Sequence, residues 1–291
     1  LLLCGAAVQA AGIENIDGIT LERDVVFGDA DGYELTLDIA WHPGSGPARP
    51  AVVHIHGGAW LNGAKSPYRA MQFARAGFVG VSINYRLSGV ATFPAGVHDC
   101  KRALRWLRAN AARYGIDPQR IGIVGESAGG HLVALLGTSG GSRYLEGYEG
   151  DLDQSSAVQS VVDHYGPVDF LTMEDKPGRM RHLTDDSPES RWLDRPVTEA
   201  PELVALANPI TYIDPSDPPM LLIHGEKDGI VIIEQSEYLF EALQKAGVKS
   251  EFVRVANADH GYPPNPKDAV VAPSRDEIHR MEIEWFRRTL G

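Results

Sequence analysis

The chain has 291 residues, 43% of them apolar and 23% charged, which is enough to build a sizeable core beneath an ordinary charged surface. Its 39 acidic and 27 basic residues leave a formal charge of −12, a poor footprint for nucleic acid, where clustered Lys and Arg must neutralise phosphates. Beyond the first few residues no stretch approaches the ~18 consecutive apolar residues of a membrane span, so stable membrane insertion is not expected.

Residues 1–11 (LLLCGAAVQAA) read as the remnant of a secretory signal peptide. An apolar run leads to Val8-Gln9-Ala10, small residues before a cleavage point, although a charged n-region is missing. The expected location is secreted or periplasmic. Cys4 falls in that leader and leaves Cys100 alone in the mature chain, which excludes an intramolecular disulfide and a cysteine metal cluster.

Residues 34–41 (ELTLDIAW) alternate apolar and polar, the pattern of a half-exposed antiparallel strand. A turn-rich break at residues 44–50 (GSGPARP) follows. The pattern then changes to short continuous apolar runs at residues 51–55, 78–83, 121–124, 161–165, 220–223 and 251–255, as in buried parallel strands. Between them, Val97, Cys100, Leu104, Leu107, Ala111 and Tyr114 form one helical stripe closed by Gly115. Further helices are expected at residues 236–246, closed by Gly247, and at 276–290. Alternating strand and helix implies an α/β fold with a mostly parallel sheet covered on both faces, a single domain over residues 12–291. Residues 172–206 carry no strand signal and are dense in Pro, Asp, Glu and Arg. They are expected to form a cap inserted above the sheet, overhanging the reactive site and helping to set substrate choice.

The chemistry centres on Gly125-Glu126-Ser127-Ala128-Gly129, which follows an apolar strand and opens a helix. A G-x-S-x-G pattern is common by chance, but in this setting it is a strained strand-to-helix turn that presents a nucleophilic serine. An earlier strand ends in His54-Ile55-His56-Gly57-Gly58-Ala59-Trp60, a glycine loop whose amides can bind an oxyanion. The donors expected are the N–H groups of Gly58, Ala59 and Ala128, with Gly57 shaping the turn. Trp60 has two readings, a platform that stacks on a sugar or aromatic acid, or simple packing of the loop.

Chain order serine, acid, histidine then narrows the partners. Asp228 lies just past a strand end, with Glu226 its close rival, whereas Asp214 and Asp217 sit beside prolines as turn formers. Only His260 and His279 follow the acid; His260 lies in a loop after a strand and His279 in the middle of a charged helix. Ser127, Asp228 and His260 are therefore the expected catalytic triad. His54 and His224 read as buried strand-end residues, His56 as a brace for the glycine loop and His131 as packing. No H-E-x-x-H and no phosphate-cradling loop followed by Lys occurs, so no metal, ATP or other cofactor is expected.

These segments resemble the α/β-hydrolase superfamily, most nearly the bacterial esterases related to hormone-sensitive lipase and the carbohydrate acetyl and feruloyl esterases. The resemblance rests on HGGAW at 56–60, NYRL at 84–87, GESAGG at 125–130, NPITYIDPSDPPMLLIHGEKD at 208–228 and DHGY at 259–262. Two positions depart from the pattern: Ala59 replaces a loop glycine, and Asp228 is followed by Gly229-Ile230-Val231-Ile232 where relatives often carry a proline turn. The resemblance implies a cofactor-free serine esterase for short-chain esters, including acetyl or feruloyl esters of plant carbohydrates, working through an acyl-enzyme. Its partner would be a small-molecule or carbohydrate ester; the sequence is silent on oligomeric state. Two other readings remain: an arylformamidase-like amide hydrolase or small peptidase, and a non-enzymatic binding module on the same fold. Intact Ser, Asp and His in the right order argue against the latter.

Overall fold

Short runs of β-branched and aliphatic residues, separated by turns and helices, pair into one nine-stranded sheet. This is a computed structural model that describes residues 12–44 and 46–291; the expected export leader at residues 1–11 lies outside the described residues. At one edge β1 (Ile13–Ile16), β2 (Ile19–Ala30) and β3 (Tyr33–Trp41) form an antiparallel meander. The other six strands run parallel: β4 (Arg49–Ile55), β5 (Val79–Ile83), β6 (Ile116–Glu126), β7 (Ser160–His164), β8 (Met220–Gly225) and β9 (Ser250–Val255). Across the sheet the order is β1-β2-β3-β5-β4-β6-β7-β8-β9, the mostly parallel α/β arrangement expected.

Helices cover both faces: α1 (Pro67–Arg75), α2 (Ala95–Ala109), α3 (Ala111–Tyr114), α4 (Ala128–Thr138), α5 (Arg143–Glu146), α6 (Pro188–Leu193), α7 (Pro201–Ala207), α8 (Glu234–Ala246) and α9 (Arg275–Leu290). The stripe expected as one helix is α2 and α3, broken at Asn110 and ended by Gly115 in the left-handed conformation. The period-two pleat divides each strand between two cores. Val53, Ile55, Ile121, Ile123 and Leu222 pack with Leu104, Leu132, Leu135 and Leu239 of α2, α4 and α8. Val52, Val124, Leu221 and Ile223 pack with Phe73 of α1 and with Ile283, Phe286 and Leu290 of α9.

The second half of β3 differs from its half-exposed expectation. Ala40 packs in a third cluster with Ala70, Met71 and Ala74, because α1 lies over that side of the strand.

From β4 the chain passes through α1 to β5 on one side, then returns through α2 to β6 on the other. β4 and β6 are thus neighbours at the point where strand order reverses, and a crevice opens beyond their carboxyl ends. Ile55 at the end of β4 pairs in register with Gly125 at the end of β6. The approach leaves no room for side chains. A Cβ at Gly129 would fall well inside contact distance of the Ile55 carbonyl oxygen and 2.7 Å from that of His56.

Beneath the start of α4, Asp163 of β7 is fully buried. Its Oδ1 accepts from Gly166 N–H at 2.9 Å, while Oδ2 has no partner among the described residues. Desolvation outweighs that amide and a distant His224, pushing the carboxyl up to about 7.

Two predictions follow from this packing. Gly129→Ala should lose about 1–3 kcal/mol by overpacking, whereas Gly141→Ala, with open space around its Cα, should leave Tm unchanged; thermal unfolding of both decides it. Between about pH 4 and 7 folded Asp163 holds a proton that the unfolded chain has released, so its effect on stability worsens as pH rises through that window. Asp163→Asn should therefore gain Tm relative to wild type between pH 5 and pH 8; a pH-independent difference would refute the assignment.

Candidate active site

Ser127 is the N-cap of α4 and joins it directly to β6. Its backbone is held at φ 55°, a left-handed value that L residues rarely adopt and that turns Oγ out of the sheet. The strain is held by hydrogen bonds on both sides, Ser127 N–H to His164 O at 2.9 Å and His131 N–H to Ser127 O at 3.0 Å.

Asp228 and His260 reach Ser127 from the ends of β8 and β9. Ser127 Oγ–H donates to His260 Nε2 at 3.1 Å, and His260 Nδ1–H donates to Asp228 Oδ2 at 2.7 Å. A carboxylate can only accept, so this contact fixes the tautomer and leaves a lone pair on Nε2 facing the serine. Tyr165 packs edge-on against His260, with ring centroids 4.7 Å apart, and keeps the imidazole in place.

Asp228 makes its own turn. Its Oδ1 accepts from Ile230 N–H and Val231 N–H at 2.8 and 2.9 Å, so the carboxylate does what a proline turn would do in relatives. Oδ2 also lies 3.3 Å from His224 Nε2, whose proton it shares with Val231 O at 2.9 Å. Burial works against the charge, but the hydrogen bonds from His224 and His260 outweigh it and hold the carboxyl far below the usual range. The rival Glu226 is exposed, with its backbone spent on pairing to Val255 O. His279 is half-buried on α9, 3.2 Å from Glu282.

The glycine loop after β4 curls through three consecutive left-handed residues, Gly58 (φ 111°), Ala59 (φ 56°) and Trp60 (φ 58°). Leu61 and Asn62 N–H both close on Gly58 O, at 3.0 and 3.1 Å. His56 braces the loop as expected: its Nδ1–H donates to Gly57 O at 2.8 Å, and its ring stacks on Tyr85 at 4.5 Å. The N–H groups of Gly58, Ala59 and Ala128 find no acceptor among the described residues, and all three residues border the pocket that contains Ser127.

That pocket is a cavity of about 380 Å³. Pro167, Ile230 and Val231 form its apolar wall, and Met180, His182, Pro188 and Glu189 reach it from residues 172–206. Trp60 borders the pocket, but only 1% of it is exposed. Its ring stacks on Trp192 at 5.0 Å and meets His131 and Phe170 edge-on, so its faces are spent on packing rather than offered to a sugar. Of its two readings the packing one describes the geometry. Both faces are taken because α6 carries Trp192 across the loop. His131, expected only to pack, also donates from Nε2 to Ala207 O at 2.8 Å and so ties α4 to the end of the cap.

Two supports were invisible in the sequence. Arg179 of the cap forms a two-pronged ion pair with Asp259, whose Oδ1 also accepts from His260 N–H at 2.7 Å and Gly229 N–H at 3.1 Å. One carboxylate thus joins the cap, the acid loop and the histidine loop. Beside the serine, Glu126 accepts from His54 Nε2–H at 2.8 Å and Arg69 at 2.9 Å. Burial opposes its ionisation, but His54 and Arg69 prevail and hold it well below the ordinary range. Asp259 adjoins the catalytic histidine and Glu126 the serine, and that adjacency was the one signal available for either.

The family model BD-FAE matches residues 37–243, and that of the dienelactone hydrolase family matches residues 200–290. Esterase LipQ of Mycobacterium tuberculosis is 36% identical over 82% of the chain, which spans 56% of that relative's length. Among solved structures, a truncated carbohydrate esterase from gut microbiota superposes with a TM-score of 0.78 at 32% identity, covering 93% of this chain and 96% of that one. A bifunctional GH43-CE protein of Bacteroides eggerthii gives 0.77 at 34% identity, covering 93% of this chain and 38% of that one. With a family match that runs from β3 into α8, the chain belongs to the BD-FAE family, and its mostly parallel sheet with helices on both faces is the α/β-hydrolase fold.

Proposed function

We propose that the protein hydrolyses short-chain carboxylic esters, acetyl to butyryl, of carbohydrates and similarly polar alcohols. The observation that carries this reading is the His260 Nε2 lone pair 3.1 Å from Ser127 Oγ, beside a pocket that Gly58, Ala59 and Ala128 also line. His260 takes the hydroxyl proton as Oγ attacks the ester carbonyl, and the Gly58, Ala59 and Ala128 amides receive the oxygen that becomes negative. Asp228, ionised through the working range, steadies the imidazolium that forms. His260 then gives its proton to the departing alkoxide, leaving the acyl group on Oγ. Water repeats the sequence: His260 accepts its proton, the acyl–oxygen bond breaks and Ser127 regains its hydrogen.

The apolar wall of Pro167, Ile230 and Val231 supports a small acyl group. The carbohydrate esterase named among the structural relatives supports a sugar on the alcohol side.

Ser127→Ala should abolish hydrolysis of p-nitrophenyl acetate while leaving Tm near wild type. Asp228→Asn should lower kcat by on the order of 10⁴, because the imidazole would lose its working tautomer. Harm from Glu226→Gln with Asp228→Asn harmless would move the acid to the other carboxylate. Across p-nitrophenyl esters of increasing length, kcat/KM should peak between acetyl and butyryl; a maximum at decanoyl or beyond would defeat the short-acyl reading.

A further inference from the structure

A second cavity, of about 460 Å³, lies against the first. Glu126 and Tyr165 line both, so the two share a wall beside Ser127 and His260. The new cavity runs past Gly261, next to His260, and is walled by α1 and the N-terminal half of α9. Its character is opposite to that of the first. Gln72 of α1 and Arg275 and His279 of α9 present polar groups to it, and His164 lies in its wall. Tyr262 Oη–H donates to Ile223 O at 3.1 Å, so it accepts from His164 Nδ1–H at 2.8 Å. His164 Nε2 is thereby left as an acceptor, buried and without a partner among the described residues. At the rim stands Tyr68, 64% exposed on the first turn of α1.

We propose that this cleft is the subsite for the sugar that carries the ester, with Tyr68 as its stacking platform; the inference rests on the ester hydrolysis argued above. The direction comes from proton transfer. The leaving alkoxide must collect its proton from His260 Nε2, so the alcohol departs past His260, which borders the first pocket and whose neighbour Gly261 lines the cleft. The acyl group is left to the more apolar pocket lined by Gly58, Ala59 and Ala128. A sugar ring has an apolar face and a rim of hydroxyls. Such a molecule matches an exposed aromatic ring flanked by amide, imidazole and guanidinium groups, and a simple alkyl alcohol does not. The cleft is open to solvent at Tyr68, so a sugar within a longer polysaccharide could lie there with its neighbours running out into water.

The test compares wild type, Tyr68→Ala and Tyr68→Trp on acetylated xylo-oligosaccharides and on p-nitrophenyl acetate. Tyr68→Ala should lower the ratio of kcat/KM for sugar ester over aryl ester about tenfold, through KM for the sugar ester, and Tyr68→Trp should restore it. A ratio within twofold of wild type in Tyr68→Ala overturns the subsite, as does a Trp variant no better than Ala. Wild-type hydrolysis of the aryl ester with none of the sugar ester also overturns it while sparing the esterase reading. Hydrolysis of neither ester overturns both.

Discussion

The closeness of β4 and β6 at the reversal of strand order is the constraint on which the site depends. One strand delivers the loop of left-handed residues from Gly58 to Trp60, and the other delivers Ser127. They bring amide donors and nucleophile to the same spot only because Ile55 and Gly125 are paired and no side chain separates them. The glycines at 125 and 129 are therefore spacers before they are conformational devices. The left-handed serine follows from the same crowding: a helix that starts immediately after a strand, under a second strand, has to turn sharply.

Three carboxyls around this junction illustrate how partners decide charge. Asp228 has two imidazoles and two amides, and Glu126 has an imidazole and a guanidinium. Both stay ionised against desolvation. Asp163, a few residues away in the same sheet, has a single amide and is pushed up to about 7. Desolvation opposes the charge at all three, although Glu126 keeps a quarter of its side chain exposed, and the number of donors separates them. The charged pair flanks the reacting atoms, whereas the third sits under the helix where a neutral group suffices.

The sequence made the parallel half of the sheet legible, because β4 to β8 each carry a short, buried and largely apolar run, while β9 at the edge shows only Phe252, Val253 and Val255. β2 escaped notice although it is the longest strand described, since register shifts between Glu22 and Val25 and between Val26 and Gly28 break its alternation. α1 was missed because it spans only nine residues, too few turns for a helical period to stand out. The placement of Ser127, Asp228 and His260 at strand ends could be read from chain order. Contacts such as Arg179 with Asp259, 80 residues apart, leave no trace in local pattern. Trp60 shows the same limit, since the ring that occupies its face is Trp192, more than a hundred residues away.

The Arg179–Asp259 pair ties two kinds of variation together. Residues 172–206 contribute Met180, His182, Pro188 and Glu189 to the pocket that contains Ser127, which makes them the natural place for a designer to alter what the pocket accepts. Yet the same segment holds, through one carboxylate, the loops that aim Asp228 and His260. A transplanted cap that fits a new acyl group but lacks a cation at position 179 would slacken the proton relay as it reshaped the pocket. Arginine at that position is the hinge-pin that lets the rest of the cap drift in sequence without disturbing the chemistry underneath.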